Sequence, residues 1–507
     1  MNNFFKKRLM LSSIIAISAA MPAVAHADQL SDLQAQVAAL SAKIKQIQAD
    51  QTRERKTEAA EAMREHSAMA MSIAKQNREV QAIDARNAAA AKLLQAQTPT
   101  RAEQLGVTND QYITKGLLPG SFQIPGTKTS MAIGGFINFQ GIYDPTQNFG
   151  PKFSIGNLTP NSPGRRASAN DFHFQSKVSR LVVQTSTPSD YGPITTNFAL
   201  DFYGFVNGGD NNQALQNNSY SARIVYAFGT IGPLTFGMLN SNFIDDPDQA
   251  ETFDNGGPAG VPAERTEQIR FTYPISKNSV FSVAAEDPQS GYQDTRDNIE
   301  VASPSNPMPD FSGRYVYTST LLHFQLSGVV RDIAYTDGTG ARTSSFTGAG
   351  IIGATLNLGG LNPVFGQDYV GGQAWYGAVG RYIPDDFGGN VASVLAVNNG
   401  TTGVPTTIAT KIQNDDGFTL FAQHYWTSIL RSTLAIGYNH QALASFLPAD
   451  TANAPTTKTI HVNLILRPVP SVDLGIEAMI GQKTFQKSTG QSPLNAERVE
   501  FGGKWHF

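Results

Sequence analysis

The 507-residue sequence contains no cysteine, which excludes a disulfide framework and any thiolate metal site. It has no uninterrupted apolar run of the roughly 20 residues that carry a helix across a bilayer. The formal net charge of -3 offers no basic excess for a nucleic-acid partner. His173, His323, His424, His440 and His461 are scattered, and none has a serine two residues later. No catalytic residues, no metal site and no cofactor are expected, and the chain does not read as an enzyme. Residues 28–97 also lack glycine and proline, so nothing there breaks a helix.

The start of the chain is specific. Lys6, Lys7 and Arg8 precede LMLSSIIAISAAM, which is followed by Ala25-His26-Ala27. A basic segment, a short apolar segment and an A-x-A site predict a secretory signal peptide over 1–27. In the next region Leu30, Leu33, Val37, Leu40, Ile44 and Ile47 are spaced 3, 4, 3, 4, 3. That seam predicts a helical coiled-coil stalk over 28–97, the alternative being a single amphipathic helix. Pro99, Gly106, Pro119-Gly120 and Pro125-Gly126 mark 98–129 as an irregular linker.

From about residue 130 the period changes to two. In the closing VEFGGKWHF, Val499, Phe501, Trp505 and Phe507 share a face opposite Arg498, Glu500, Lys504 and His506. In MAIGGFINFQGIYD, Met131, Ile133, Ile137, Phe139 and Tyr143 oppose Asn138 and Gln140. The same alternation recurs along TTNFALDFYG, LHFQLSGVVR and KTIHVNLILRP. One face of every strand is apolar, the other small, polar or charged. Short turns alternate with long loops rich in Gly, Asn and Asp. This pattern predicts an all-β transmembrane barrel of about 16 antiparallel strands over 130–507, apolar toward lipid and polar toward a watery lumen. A soluble solenoid or sandwich would leave the alternation of short and long connections unexplained. The least distinct strand is the eleventh, near GQAWYGAVGRY.

Inward-facing polar positions place Arg180, Arg223, Arg270, Arg314, Arg331, Arg467, Arg498 and Lys504 in the lumen as candidate pore-lining cations. Asp201, Glu286, Asp473, Glu477 and Glu500 share it, so cross-strand ion pairs account for part of the set. Guanidinium groups in a water-filled tube lower the barrier for anions and grip carboxylates in a two-point geometry. The third long loop, IDDPDQAETFDNGGPAGV, carries Asp245, Asp246, Asp248, Glu251 and Asp254. A solvated outer loop is one reading; a loop folded inward to face the arginines as a constriction is the one expected. Trp426, Trp505 and Phe507 are expected in the aromatic belt at the periplasmic membrane interface.

Several segments resemble DcaP-like porins. They are SFQIPGTKTSMAIGGFINFQGIYD, the acidic AETFDNGGP, AAEDP, PDFSGRYVY leading into LLHFQLSGVVRD, QHYWTSILRSTLAIGY and HVNLILRPVPSVDLGIE. The resemblance spans the barrel nearly end to end. It implies a sixteen-stranded homotrimeric porin in the outer membrane of a Gram-negative bacterium, with the stalk in the periplasm. It also implies passive diffusion of small anionic solutes, dicarboxylates among them, and sorting of Phe507 by the outer-membrane assembly machinery. The third loop departs from the family with an extra acidic cluster at its start, DDPD, and the barrel half is net acidic. The remaining alternatives are a barrel-anchored envelope-tethering protein whose stalk is the functional part, and a phosphate- or sugar-selective channel.

Overall fold

The computed structural model describes residues 114–507 except 161–162, 205–219, 290, 295–298, 303–305, 337–341, 385–393, 399–406 and 445–453. Before them it describes residues 35, 38–39, 41–43 and 45–46, all helical and exposed. The expected signal peptide and the seam residues of the expected coiled coil lie outside the described residues. Two units are distinguished, residues 1–109 and 110–507.

The second unit is a closed antiparallel barrel of 16 strands. They are β1 (Ser130–Asp144), β2 in two pieces (Asp171–Gln175 and Arg180–Thr187), β3 (Ile194–Gly204) and β4 (Ser221–Ile231). Next come β5 (Leu234–Asn240), β6 (Arg265–Ser276), β7 (Ser279–Glu286) and β8 (Asp310–Thr318). β9 (Leu322–Thr336), β10 (Arg342–Asn357), β11 (Tyr369–Gly377) and β12 (Asp415–Tyr425) follow. β13 (Leu430–His440), β14 (Thr456–Val469), β15 (Val472–Lys483) and β16 (Leu494–His506) complete the ring. Each strand pairs with its neighbour in sequence, and β16 closes on β1 with Val499 opposite Tyr143 and Lys504 opposite Asn138. The backbone of Phe507 exchanges two 3.1 Å hydrogen bonds with Gly135. Gly135 holds a positive φ of 148°, where a side chain would be strained and a Cβ would collide with the Arg180 carbonyl.

Burial is inverted relative to a soluble sheet. Along β6, Ile269, Phe271, Tyr273 and Ile275 are 57%, 41%, 57% and 56% exposed, while Gln268 and Arg270 are 5% and 8% exposed. A two-residue period cannot put apolar groups outward all round a soluble ring without a large exposed patch. An outer surface of this kind suits lipid, and closure leaves no unpaired strand edge there.

Two details differ from the sequence pattern. Strand β11 stops at Gly377, and AVGRY continues as loop, with Gly380–Tyr382 in a 3-10 turn. The positive φ of 127° at Gly377 turns the chain out of the ladder. Part of the segment read as an irregular linker forms short strands, Thr114–Lys115 and Phe122–Gln123, that pair with each other and with the start of β1. Gly120 and Gly126, at φ of 70° and 75°, supply the turns that Pro-Gly pairs favour.

Candidate functional site

The lumen is occupied in large part by connections between strands. The third, L3 (residues 241–264), fastens to the inward faces of successive strands. Its Ile244 carbonyl accepts from Arg314 of β8 at 2.8 Å, and Asp245 meets His323 of β9 at 2.6 Å. Thr355 of β10 donates to Pro247 and Asp248. Glu251 receives both Nε and Nη2 of Arg431 on β13, at 2.7 and 2.6 Å. The Phe253 amide donates to Glu477 of β15, and its carbonyl accepts from Gln140 of β1 at 2.9 Å. Returning, the Ala259 amide donates to Thr459 of β14 at 2.8 Å, and Trp375 of β11 donates to the Gly260 carbonyl at 3.0 Å. Gly437 of β13 is what admits this close approach, because a Cβ there would collide with the Ala259 backbone. The loop thus lies inside the ring, sewn to β7 through β16 and β1, and it leaves the side from β2 to β6 open.

Two further loops fill the interior. Phe153, Ile155 and Leu158 of the first loop pack against Met479 and Ala496. Val379, Tyr382 and Ile383 of the sixth loop pack with Phe243, Val329, Ile351 and Trp375. These buried apolar clusters sit within a lumen otherwise lined by polar groups, and they hold the loops by area removed from water.

The open side holds a cavity of about 510 Å³. Its charged lining consists of Lys152, Arg180, Arg223 and Arg265 against Asp246 and Glu264. It adjoins a cavity of about 310 Å³ beside Arg270 and Arg314, and a third of about 490 Å³ lies near the short turn at Thr318–His323. Asp246 lines all three, so they gather round the 3-10 turn Asp246–Asp248 and together outline a route past it.

The sequence-expected cations separate into two groups. Arg180, half-buried, stands 3.8 Å from Asp201 and keeps an unpartnered Nε. Arg223 makes a two-point pair with Asp201 at 3.0 and 2.7 Å. Arg270 is held by Gln268 at 3.0 Å and by the Asn240 carbonyl. These three and Arg314 border the route. Arg331 and Arg498 are buried instead. Arg331 pairs with Asp310 at 3.0 Å and donates to the Ala378 carbonyl at 3.2 Å. Arg498 bridges Asp144 at 2.7 Å and Glu500 at 3.1 Å. Arg467 pairs with Asp473 at 2.6 Å, and Lys504 lies over the Phe136 ring at 5.0 Å. None of these four lines the three cavities.

The expected acids of L3 are mostly consumed. Asp245 is matched by His323 and Arg314, Glu251 by Arg431, and Asp254 lies 3.9 Å from Arg498. Asp246 faces the route, its carboxyl pushed up by burial and by Asp245 alongside. Burial raises Glu264 to about 7, outweighing the Arg381 guanidinium 3.3 Å away. Trp426, Trp505 and Phe507 are all exposed near short-turn ends of strands.

Sequence reasoning missed Arg265, Lys152, Glu264 and Arg431. The alternation of β6 assigns Arg265 to the outer face. As the first residue of the strand it lines the cavity instead, and its side chain makes no hydrogen bond or ion pair with another described residue. Lys152 comes from the first loop, where no period applies.

Residues 119–339 match the Porin subfamily. The structure is similar to the outer membrane channel DcaP of Acinetobacter baumannii, with a TM-score of 0.59 at 17% identity over 75% of this chain and 97% of that one. It also matches OmpT, an outer membrane protein of Vibrio cholerae (TM-score 0.45, 9% identity, 75% and 98% covered). The anion-selective porin of Comamonas acidovorans is a third match (TM-score 0.44, 11% identity, 75% and 100% covered). Comparison with curated protein sequences gives no match.

Proposed function

We propose that this chain, a DcaP-like porin of the outer membrane, passes small anions by passive diffusion, dicarboxylates among them. The observation that carries the preference is the charge balance of the 510 Å³ cavity: four cations face two carboxylates. Burial raises one of those carboxylates, Glu264, to about 7, which weakens its negative charge at neutral pH. Arg265, without a described side-chain partner, presents donors to a passing solute. A guanidinium in such a wall replaces the water lost by a carboxylate and offers a two-point fork. Because Asp245, Glu251 and Asp254 are matched by wall cations and Asp248 is buried, the extra acidic cluster of the loop leaves mainly Asp246 to oppose anions.

A solute enters between the outer loops and slides along the wall formed by β2, β4, β5 and the start of β6. It then rounds Asp246 and leaves past the turn at Thr318–His323. No step needs turnover or energy coupling. The assembly is a homotrimer in lipid, with residues 28–97 as a periplasmic stalk and 98–129 as its linker. Trp426 and Trp505 sit at the periplasmic interface, and Phe507 is read by the assembly machinery.

The test is the reversal potential of the refolded protein in a planar bilayer under a salt gradient, with and without succinate. An anion-selective potential, with conductance that succinate blocks, is expected. Cation selectivity without a succinate effect would retain the porin and refute the anion preference.

A further inference from the structure

At one of its anchors L3 brings metal-binding side chains together. Asp245 and Asp248 of the loop and His323 of β9 each offer one ligand atom, and these atoms lie within 4.8 Å of one another. Among the described residues this is the one group of three or more such side chains so placed. His323 Nε2 points at Asp245 Oδ2, 2.6 Å away. Its Nδ1 lies 2.9 Å from the Thr318 hydroxyl, a partner that can accept from Nδ1–H when Nε2 binds a metal.

An independent feature points the same way. Asp248 is wholly buried; Thr355 donates to its Oδ1 at 2.9 Å, while Oδ2 has no partner. A buried carboxylate oxygen without a donor is a costly arrangement unless something positive completes it. The wall makes room for that oxygen with Gly353, where a Cβ would collide with it. His323 borders the 490 Å³ cavity and Asp245 the 310 Å³ cavity, so an ion reaches the cluster from the aqueous route.

We propose that Asp245, Asp248 and His323 form a binding site for a divalent transition-metal ion, with zinc as the probe. One imidazole nitrogen and two carboxylate oxygens at roughly 2.0–2.2 Å suit zinc, with a fourth position left open. That position takes water or the carboxylate of a passing solute. The bound ion fastens L3 to β9 and places positive charge beside the route. This site follows from the anchor geometry and does not depend on the anion preference.

Untagged full-length protein, folded in detergent, is titrated with zinc by calorimetry beside His323→Gln, Asp248→Asn and His440→Gln. The last removes a rim histidine whose partner is Asp416 alone. One tight equivalent per chain is expected in the parent. It should weaken at least tenfold in His323→Gln and Asp248→Asn and stay unchanged in His440→Gln. Folding of each variant is checked by its resistance to unheated dodecyl sulfate. Should His323→Gln fail that check, the near-isosteric Asp248→Asn decides. A parent without a tight equivalent, or a tight equivalent that survives in a folded His323→Gln or Asp248→Asn, would overturn the site. In bilayers, zinc should quiet current fluctuations in the parent and leave those of Asp248→Asn unchanged.

Discussion

Removing the charge of Arg265 is the sharpest probe of the route. A cavity of 510 Å³ is about 8 Å across, so a solute at its centre stands roughly 6 Å from the guanidinium. At the permittivity of water a unit charge there contributes about 0.7 kcal/mol. Screening over a Debye length of about 10 Å at 0.1 M salt reduces this to about 0.4 kcal/mol. Loss of the charge raises the anion barrier and lowers the cation barrier together, so the effect on their ratio doubles in energy. Arg265→Ala should therefore lower the anion-to-cation permeability ratio by about fourfold, rising toward tenfold as salt is diluted. Arg265→Glu should roughly square that factor. Reversal potentials under a potassium chloride gradient read the ratio directly. Lys458→Ala makes the same change in net charge at an exposed position and should leave the potential where it was. If folded, conducting Arg265→Ala also leaves it there, solutes do not pass beside Arg265 and the route is wrong.

The other expectations concern the loop and its charges. Gly437→Val puts a side chain into the backbone of Ala259, so L3 should be displaced and single-channel conductance should rise while the barrel keeps its resistance to dodecyl sulfate. Glu251→Gln replaces two charge-assisted bonds to Arg431 by weaker ones, a loss of about 1 kcal/mol at this half-exposed pair. Faster current flicker should report it. Glu264, raised to about 7, takes up a proton as pH falls from 8 to 6, so negative charge leaves the route and anion selectivity should increase in acid. Glu264→Gln should show the acid-like selectivity at both pH values; a pH response identical to that of the parent would place the titration elsewhere.

Strands were legible in the sequence because their signal is local. Residues two apart share a face, and lipid on one side and water on the other sort them without ambiguity. The interior loops give no such signal. Glu251 and Arg431 lie 180 positions apart, and nothing in the acidic run marks which acids will be paired. Val329, Ile351 and Trp375 are apolar on inward positions because the sixth loop packs on them. The alternation alone has no place for an apolar cluster inside a wet lumen. For the same reason the alternation cannot tell that Arg331 and Arg498 hold loops and neighbouring strands and lie away from the cavities. Arg265 was hidden by the opposite effect, since at a strand's first residue the pleat no longer dictates where a long side chain reaches.

The joint between β16 and β1 has a consequence for how the molecule comes into being. Asp144 and Arg498, joined across it, lie 354 positions apart. Contacts of such separation form late, because the entropy of closing the intervening chain must be met before they contribute. Until then both strands present open edges, which recruit other chains into sheets. Before the joint forms, the chain is therefore an unsealed ribbon open to association with its own copies. The buried guanidinium of Arg498, already beside Glu500 on its own strand, gains its two-point partner Asp144 only from the far end of that ribbon, so correct register at the final closure completes its pairing.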